Sequence, residues 1–274
     1  MKISRRNLLA RLAFYGSPVA AFGYGSLIER HWLDITRTDI PLASRYNHLD
    51  GLKIAVMGDF HFDDWGSRSL IASAVKVVNE EPVDAVILVG DYISDQVGAM
   101  EPLCEELSHL RPRFGTFGVM GNHDCWHFDL AIPNLLEKAG VQLLRNRAID
   151  CGEFAIAGLD SYWGGSPDIE FTVKDLDPEK PILSGWHEPD TFDYYKDPRT
   201  VLQVSGHTHG GQVRAPFYGP LLLPEFGRKY PYGHYRNENS SLFVTRGIGT
   251  LNLPVRFLCP PELAILTMRR DKTA

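Results

Sequence analysis

Short apolar runs alternate with amphipathic segments from residue 52 onward. Leu52–Met57 and Val86–Val89 have the length and composition of buried strands, and apolar residues recur at helical spacing over residues 67–79. Two more helices are predicted, around residues 99–110 and near residues 130–139. Further strands are predicted at the later apolar runs, over residues 141–144, 154–159, 181–185, 201–205, 241–246 and 262–268.

This order of elements favours the α/β class, because helices and strands alternate early in the chain while strands and turns dominate its last part. We expect one domain over residues 50–270, built from mixed β-sheets that helices cover. Residues 31–49 are expected to form a linker or an N-terminal strand. Residues 160–180 and 215–240 are expected to be loops.

Polar residues gather where the apolar runs end. Ligands of open α/β sheets bind beyond the carboxyl ends of the strands, so we expect these residues to converge on one pocket. The five clusters are Gly58–His61, Gly90–Tyr92, Gly121–Asp124, Trp186–Glu188 and Gly206–Gly210.

The spacing within two clusters favours a metal site. Asp59 and His61 are two residues apart, as are His207 and His209, and side chains at i and i+2 of an extended segment point the same way. Carboxylate, imidazole and carboxamide groups are ligands for Mn, Fe, Zn or similar divalent ions. The four cysteines form no Cys-x-x-Cys pair, which argues against a thiolate zinc site.

The first 30 residues are typical of a targeting segment. Arg5 and Arg6 precede two leucines and then a moderately apolar stretch, Leu12–Ile28, which at 17 residues is marginal for a spanning helix. The arginine pair resembles the twin-arginine export motif, which implies the twin-arginine export machinery and a membrane surface as partners. We expect export across the bacterial cytoplasmic membrane or anchoring to it; the alternative is an anchored domain that faces the cytoplasm.

The charge of the chain is unevenly distributed. Lys and Arg number 28 against 34 Asp and Glu, a net charge of −6, yet residues 1–48 alone carry +4. The rest of the chain is therefore acidic. Nucleic acid is not expected as a stable partner, since binding it needs a basic surface.

In their order along the chain, the five clusters resemble the motifs of the calcineurin-like metallophosphoesterase superfamily. The pattern Asp-x-His, Gly-Asp, Gly-Asn-His-Asp, His and Gly-His-x-His runs from Asp59 to His209 with no position missing. The segments Arg246–Thr250, Leu253–Arg256 and Cys259–Glu262 resemble those of a bacterial subgroup with twin-arginine signals or single N-terminal anchors. The resemblance implies two mixed β-sheets packed as a sandwich, flanked by helices, with a dinuclear metal site at the strand ends.

The resemblance also implies roles for individual residues. One divalent ion takes Asp59, His61, Asp91 and His209, and the other takes Asp91, Asn122, His187 and His207. His123 contacts the phosphate and protonates the leaving oxygen, and Asp124 orients His123. Water activated by the two ions then attacks phosphorus.

The expected activity is that of a phosphodiesterase. Apolar residues between Phe217 and Phe226, together with the expected anchor, favour a membrane lipid or glycolipid phosphoester as substrate. The candidates for binding substrate are Arg228, Lys229, Tyr230 and Leu222. Three alternatives stay open: hydrolysis of a nucleotide or phosphomonoester, a non-catalytic protein-interaction scaffold, and a dinuclear hydrolase of C–N or C–O bonds.

Overall fold

Two six-stranded mixed sheets form the centre of the molecule. The computed structural model describes residues 18–127, 130–194, 197–237 and 240–270, so the Arg5–Arg6 pair lies outside the described residues. The strand order of the first sheet is β1 (Asp34–Leu42), β14 (Glu262–Arg270), β2 (Lys53–Met57), β3 (Ala85–Leu88), β4 (Thr116–Gly118) and β5 (Val141–Leu143). Only the β14–β2 pair is antiparallel in this sheet.

The second sheet has antiparallel pairs at its two edges and parallel pairs between them. Its strand order is β12 (Gly233–Arg236), β13 (Ser241–Val244), β9 (Thr200–Ser205), β8 (Ile182–Gly185), β7 (Ala155–Gly158) and β6 (Arg147–Asp150). A separate two-stranded hairpin is formed by β10 (Arg214–Ala215) and β11 (Gly219–Pro220).

Helices are short and lie mainly around the first sheet. They are α1 (18–27), α2 (Phe62–Trp65), α3 (Arg68–Glu80), α4 (Met100–Leu107), α5 (Asn122–Trp126), α6 (Ala131–Lys138) and α7 (Ile169–Val173). Turns of 3-10 helix occur at Glu29–His31, Ser44–Leu49, Val97–Ala99, Pro189–Asp193 and His209–Gly211. Among the described residues, no helix has the length and apolar character needed to cross a bilayer.

Each face of the first sheet packs on a different layer, and β2 shows how the sequence achieves this. Ile54 and Val56 belong to the core between the two sheets, whereas Ala55 and Met57 belong to the core beneath α3, α4 and α6. Alternate residues of a strand point to opposite faces, so a strand covered on both faces reads as a continuous apolar run. The expectation of two mixed sheets flanked by helices is confirmed.

Three segments expected as loops or as a linker or N-terminal strand contain regular elements. Residues 34–42, expected as linker or N-terminal strand, form β1, which runs parallel to β14 over its whole length. The expected loop 160–180 contains α7, and the expected loop 215–240 contains β11 and β12. Most of these elements are short, and the polar run Thr36–Asp39 interrupts β1 at the sheet edge, so local pattern alone gave little signal.

Candidate active site

The five polar clusters meet at one end of the sandwich, beyond the carboxyl ends of strands from both sheets. The clusters follow β2, β3 and β4 of the first sheet, and β8 and β9 of the second. Ligand atoms lie within 4.8 Å of one another in three groups, Asp59–His61–His209, His61–Asp91–His123 and Asp91–His187–His207. The first group contains residues predicted to hold one ion, and the third contains residues predicted to hold the other. Asp91 belongs to the third group and lies near His61 in the second, so it is close to ligands of both predicted ions.

Five candidate ligands have left-handed backbone conformations. Their φ angles are 48° for Asp59, 39° for His61, 51° for Asp91, 73° for His207 and 50° for His209. A residue with a side chain pays a steric cost at positive φ, and such strain concentrates at functional sites. Each of these residues lies just after a strand, where the turn redirects its side chain toward the common pocket.

The loop at Gly121 packs closely against the Asp91 carboxylate and holds it in place. Gly121 precedes α5, and a Cβ atom at this position would lie 2.0 Å from Asp91 Oδ1. Only glycine leaves room for this carboxylate oxygen, which accepts a hydrogen bond of 3.1 Å from the His123 main-chain N–H. The absence of a side chain at Gly121 therefore brings the Asn122–His123 turn directly against Asp91.

Main-chain oxygens orient the imidazoles of His187 and His207 and show which ring nitrogen of each carries a proton. His187 Nδ1 lies 2.6 Å from the carbonyl oxygen of Val89, and His207 Nε2 lies 2.7 Å from that of Glu225. A carbonyl oxygen only accepts, so each of these ring nitrogens carries the proton. When a ring is neutral, its opposite nitrogen, Nε2 of His187 or Nδ1 of His207, carries the lone pair that a metal-binding histidine uses.

Several buried polar side-chain atoms in the pocket have no hydrogen-bond partner within the described ranges. Asp59 Oδ2, Asn122 Oδ1 and both ring nitrogens of His209 are in this state. His187 Nε2 lies 3.2 Å from Asp91 Oδ2, a contact that a proton on Nε2 bridges and that a bound cation would take over. A neutral His187 facing the ionised Asp91 would leave two buried acceptors without a positive charge between them. The residues therefore fit divalent cations.

The buried charges of the pocket shift its pKa values in both directions. Burial raises the pKa of Asp59 to about 6. Burial would lower the pKa of His187, but Asp91 holds it well above the usual value.

Burial would raise the pKa of Asp91, but the nearby His187 and His61 hold it well below the usual range, so the carboxylate is ionised. Burial and the neighbouring His187 lower the pKa of His207 to about 4. Burial, together with His61, also lowers the pKa of His209 well below its usual value. Metal binding requires neutral imidazoles and ionised carboxylates, so His207 and His209 suit a metal as they are, whereas His187 would release a proton when a cation binds.

His123 and Asp124 lie at the pocket, and each has a main-chain partner there. His123 Nδ1 donates to the carbonyl oxygen of Ser94 at 3.0 Å, which orients the ring. The buried Asp124 carboxylate instead accepts from the main-chain N–H groups of Tyr92 and Gly121, each at 2.9 Å. A carboxylate that bonds two loops fixes their backbones, so Asp124 positions the turns that carry Asp91 and His123.

The predicted substrate-binding candidates have other partners or lie at the surface. Main-chain N–H groups of Arg228, Lys229 and Tyr230 all donate to the Asp190 carboxylate. The Lys229 ammonium and the Tyr230 hydroxyl also bond Asp193, at 2.6 and 3.1 Å. The fourth candidate, Leu222, is 84% exposed on the segment that follows the β10–β11 hairpin. Their contact with substrate stays a prediction.

Two tryptophans beside the pocket were missed by the sequence reasoning. The Trp126 ring centroid lies 5.1 Å from that of His123, and the Trp163 centroid lies 5.7 Å from that of His207. Trp126 follows the Asn-His-Asp motif closely and could have been noticed on that ground. Trp163 lies in the segment expected as a loop, and no local signal links it to His207.

Comparison with known proteins agrees with this geometry. Residues 52–211 match the family model described as calcineurin-like phosphoesterase. The chain is 31% identical over 283 residues to the uncharacterized metallophosphoesterase YkuE of Bacillus subtilis, with 98% of each chain covered. It is 29% identical to the phosphodiesterase YaeI of Escherichia coli, over 97% of this chain and 99% of that protein. It is 24% identical to the UDP-2,3-diacylglucosamine pyrophosphatase LpxG of Chlamydia muridarum, over 93% and 94%.

Proposed function

The chain belongs to the calcineurin-like phosphoesterase family of metal-dependent phosphoester hydrolases, and we propose that it cleaves a phosphodiester in a membrane lipid or glycolipid. The observation that carries the proposal is an exposed apolar segment at the margin of the pocket. The names of two relatives support a lipid phosphodiester as substrate, because one is a phosphodiesterase and the other a pyrophosphatase of a diacylated sugar nucleotide.

The exposed segment, here called the apolar rim, consists of Phe217, Tyr218, Leu221 and Leu222. Phe217 is fully exposed at the turn of the β10–β11 hairpin, and all four side chains are more than half exposed. The segment begins just after the His209–Gly211 turn, and further along it the Glu225 carbonyl bonds His207. Clustered exposed apolar side chains of this kind mark a ligand or membrane contact.

A second exposed apolar surface adjoins the rim and supports association with a membrane. The N–H of Arg256 donates to Gly25 O of α1, and the Tyr24 ring packs edge-on against Phe257 at 6.3 Å. Leu258 lines one shallow cleft with Tyr24 and Trp32 and another with Phe217. On and just beyond α1, the exposed apolar side chains are Val19, Phe22, Leu27, Ile28 and Trp32.

Such a surface suits the interface of a bilayer, where aromatic and aliphatic side chains bury themselves among headgroups. The first 17 residues add four basic and no acidic side chains, which would strengthen attraction to anionic lipid. We therefore propose that the domain lies on a membrane with the rim turned toward its lipid substrate. Export by the twin-arginine machinery belongs to the same proposal.

We assign the metal ligands as the sequence predicted them. One ion would be held by Asp59, His61, Asp91 and His209, and a second by Asp91, Asn122, His187 and His207. Divalent cations at such a site lower the pKa of water and neutralise the charge that develops on the phosphoryl oxygens.

His123 is the residue proposed to protonate the leaving oxygen. Its Nδ1 proton is engaged by Ser94 O, so Nε2 is the nitrogen left for the substrate. Burial lowers the pKa of His123, so a proton on Nε2 is held weakly and is transferred readily to an alkoxide. The Ser94 carbonyl keeps the ring fixed during that transfer, and the half-buried position limits competition from bulk water.

The test compares soluble and membrane substrates for the same protein. Full-length enzyme supplied with Mn²⁺ would be assayed with bis(p-nitrophenyl) phosphate, p-nitrophenyl phosphate and phospholipid or glycolipid phosphodiesters in mixed micelles. We expect turnover of diesters above the monoester, and a higher kcat/KM for the micellar lipid than for the soluble diester. Leu222→Ser should lower kcat/KM for the lipid and leave the soluble diester unchanged.

The alternatives predict other outcomes of that assay. A nucleotide or phosphomonoester hydrolase would cleave the monoester preferentially and ignore the micelles. A scaffold protein would neither bind Mn²⁺ stoichiometrically nor turn over any of the substrates. Cleavage of soluble diesters without cleavage of any lipid phosphoester would retain the phosphodiesterase and refute the lipid substrate.

A further inference from the structure

Two half-exposed tryptophans form one margin of the pocket. Trp126 is 45% exposed and Trp163 is 39% exposed, and their ring centroids lie 4.8 Å apart with an interplanar angle of 77°. Trp126 packs on His123 and Trp163 packs on His207, so the pair extends from one side of the ligand cluster to the other. Large aromatic side chains that stay accessible beside a polar pocket are typical of a binding surface.

The loop that carries Trp163 is held by a buried carboxylate. Glu188 is fully buried and accepts hydrogen bonds from Ser161 Oγ and from the main-chain N–H groups of Tyr162 and Trp163, the last two at 2.9 and 3.2 Å. Ser161 Oγ in turn accepts from Gly164 N at 2.9 Å. Burying a carboxylate is costly unless it is well bonded, and here the bonds of Glu188 fix the main chain at Trp163.

The loop is also pressed against the helix that carries Trp126. A Cβ atom at Gly164 would lie 2.8 Å from the carbonyl oxygen of Asn122 and 2.9 Å from Cys125 Cβ, so the two backbones are in contact. At the start of the loop, Asp160 accepts hydrogen bonds from Arg145 at 2.8 and 3.1 Å. Both tryptophans are therefore presented by rigid backbone, although their rings face solvent.

We propose that Trp126 and Trp163 form a subsite for a flat aromatic ring of the substrate, with Glu188 as its positioning residue. The ring lies on the side of the phosphate nearest His123, because Trp126 packs on that imidazole. Two accessible tryptophans set at 77° to each other present aromatic surface in two directions, which suits stacking and edge contacts with a flat ring. The subsite rests on the proposed phosphodiesterase, because it adds a ring to the phosphoester that the pocket would hold.

The subsite is tested by binding, so the result does not depend on turnover. Phenylphosphonate and methylphosphonate carry the same anion and differ in the ring. Calorimetric titration of the full-length Mn²⁺-loaded protein should give a tighter Kd for phenylphosphonate, by a factor of roughly 5 to 150 as for a stacked aromatic ring. Trp163→Ala and Trp126→Ala should each reduce this preference strongly and leave the Kd for methylphosphonate unchanged.

Two further variants separate the subsite from general structure. Trp163→Phe should restore most of the preference, whereas Phe171→Ala, which removes an exposed ring on α7, should change neither Kd. Equal Kd values for the two phosphonates in the wild type, or a preference that survives both alanine substitutions, would overturn the subsite. If the subsite is correct and no lipid is cleaved, the preference remains and only the proposed substrate fails.

The positioning role of Glu188 is tested separately, by the ring preference of variants that weaken its hydrogen bonds. Glu188→Gln places an amide group against two main-chain N–H donors, so the ring preference should fall while the Kd for methylphosphonate stays constant. Ser161→Ala removes the hydrogen bond from Ser161 to Glu188 and should lower the ring preference by a smaller factor. This variant tests the same role if Glu188→Gln does not fold. A full ring preference in folded Glu188→Gln and in Ser161→Ala would refute the positioning role.

Discussion

The imidazole of His187 donates a hydrogen bond from Nδ1 to the main-chain oxygen of Val89, at 2.6 Å. His187 follows β8 of the second sheet, and Val89 follows β3 of the first. One sheet therefore orients a candidate ligand that the other supplies. The main-chain N–H of His207 repeats the relationship by donating to Asp59 Oδ1 at 2.8 Å. The site depends on the packing of the two sheets, and its geometry should be sensitive to changes in either.

Removal of the proposed acid should separate catalysis from metal binding. His123→Ala keeps every assigned ligand, so its metal content should equal that of the wild type, while kcat for a phosphodiester falls by about 10²- to 10⁴-fold. Metal analysis of the purified proteins and steady-state kinetics check both statements. Wild-type turnover in this variant would show that another group protonates the leaving oxygen.

Asp91 is assigned to both ions, so its removal should have the broader effect. In Asp91→Ala the buried His187 and His61 also lose the carboxylate that lies 3.2 and 3.4 Å from their Nε2 atoms. We expect a clear loss of bound metal together with activity, measured on the same preparations as His123→Ala. An Asp91→Ala protein that retains its full metal content would contradict the assignment.

Arg256 is expected to be critical for stability. Its fully buried guanidinium donates to the carbonyl oxygens of Arg246, Gly247, Gly249 and Cys259. Each buried carbonyl left without a donor costs about 1–3 kcal/mol. Arg256→Met should therefore lower the free energy of unfolding by about 3 kcal/mol or more, as measured by chemical denaturation.

Arg269→Met is the matched control for that substitution. Arg269 is exposed and pairs with the exposed Asp39 at 3.2 Å, and such surface pairs contribute about 0–1 kcal/mol. Comparable losses in the two variants would mean that the buried hydrogen bonds of Arg256 are not the cause.

The Asp160–Arg145 pair should contribute stability that depends on pH. Burial pushes the pKa of Asp160 up, but the hydrogen bonds from Arg145 and from the Ser166 N–H outweigh it, so the pKa lies below the usual value. The stabilisation is present above the unfolded pKa of about 4 and is lost as the pH falls through the folded pKa. Asp160→Asn should therefore be less stable than the wild type at pH 7, and the difference should shrink below about pH 4.

Denaturation curves at several pH values measure that difference. Asp39→Asn, at an exposed pair, serves as the control and should show little difference at any pH. A difference for Asp160→Asn that stays constant from pH 7 to pH 3 would exclude ionisation of Asp160 as its source.

The apolar rim should contribute to membrane binding. Phe217→Ser and Leu222→Ser each remove an exposed apolar side chain, and burial of such a side chain is worth about 1.5–3 kcal/mol. Co-sedimentation with anionic vesicles should fall by about tenfold or more in the double variant, while Phe171→Ser, on the exposed part of α7, binds like the wild type. Equal vesicle binding by the wild type, the double variant and Phe171→Ser would show that the apolar rim does not contact the membrane.

The sequence by itself determined most of the central strands and the residue types of the site. Apolar runs that end in Gly-Asp or Gly-Asn mark β2, β3 and β4, and strand and helix periods are local properties that a short window reveals. The order of acidic, amide and imidazole residues indicated a metal-dependent phosphoesterase. Asp59, His61, Asp91 and their partners were named as ligands before any geometry was available.

Only the tertiary structure decided which atoms orient those residues. Ser94 O bonds His123, Glu225 O bonds His207, and Asp124 bonds the main chain of Tyr92 instead of His123. Main-chain oxygens have no identity in a sequence, because every residue carries one. Trp163 lies beside His207 although 44 residues separate them, because the two residues follow β7 and β9 of the second sheet. The order of strands within a sheet is not encoded in any local pattern.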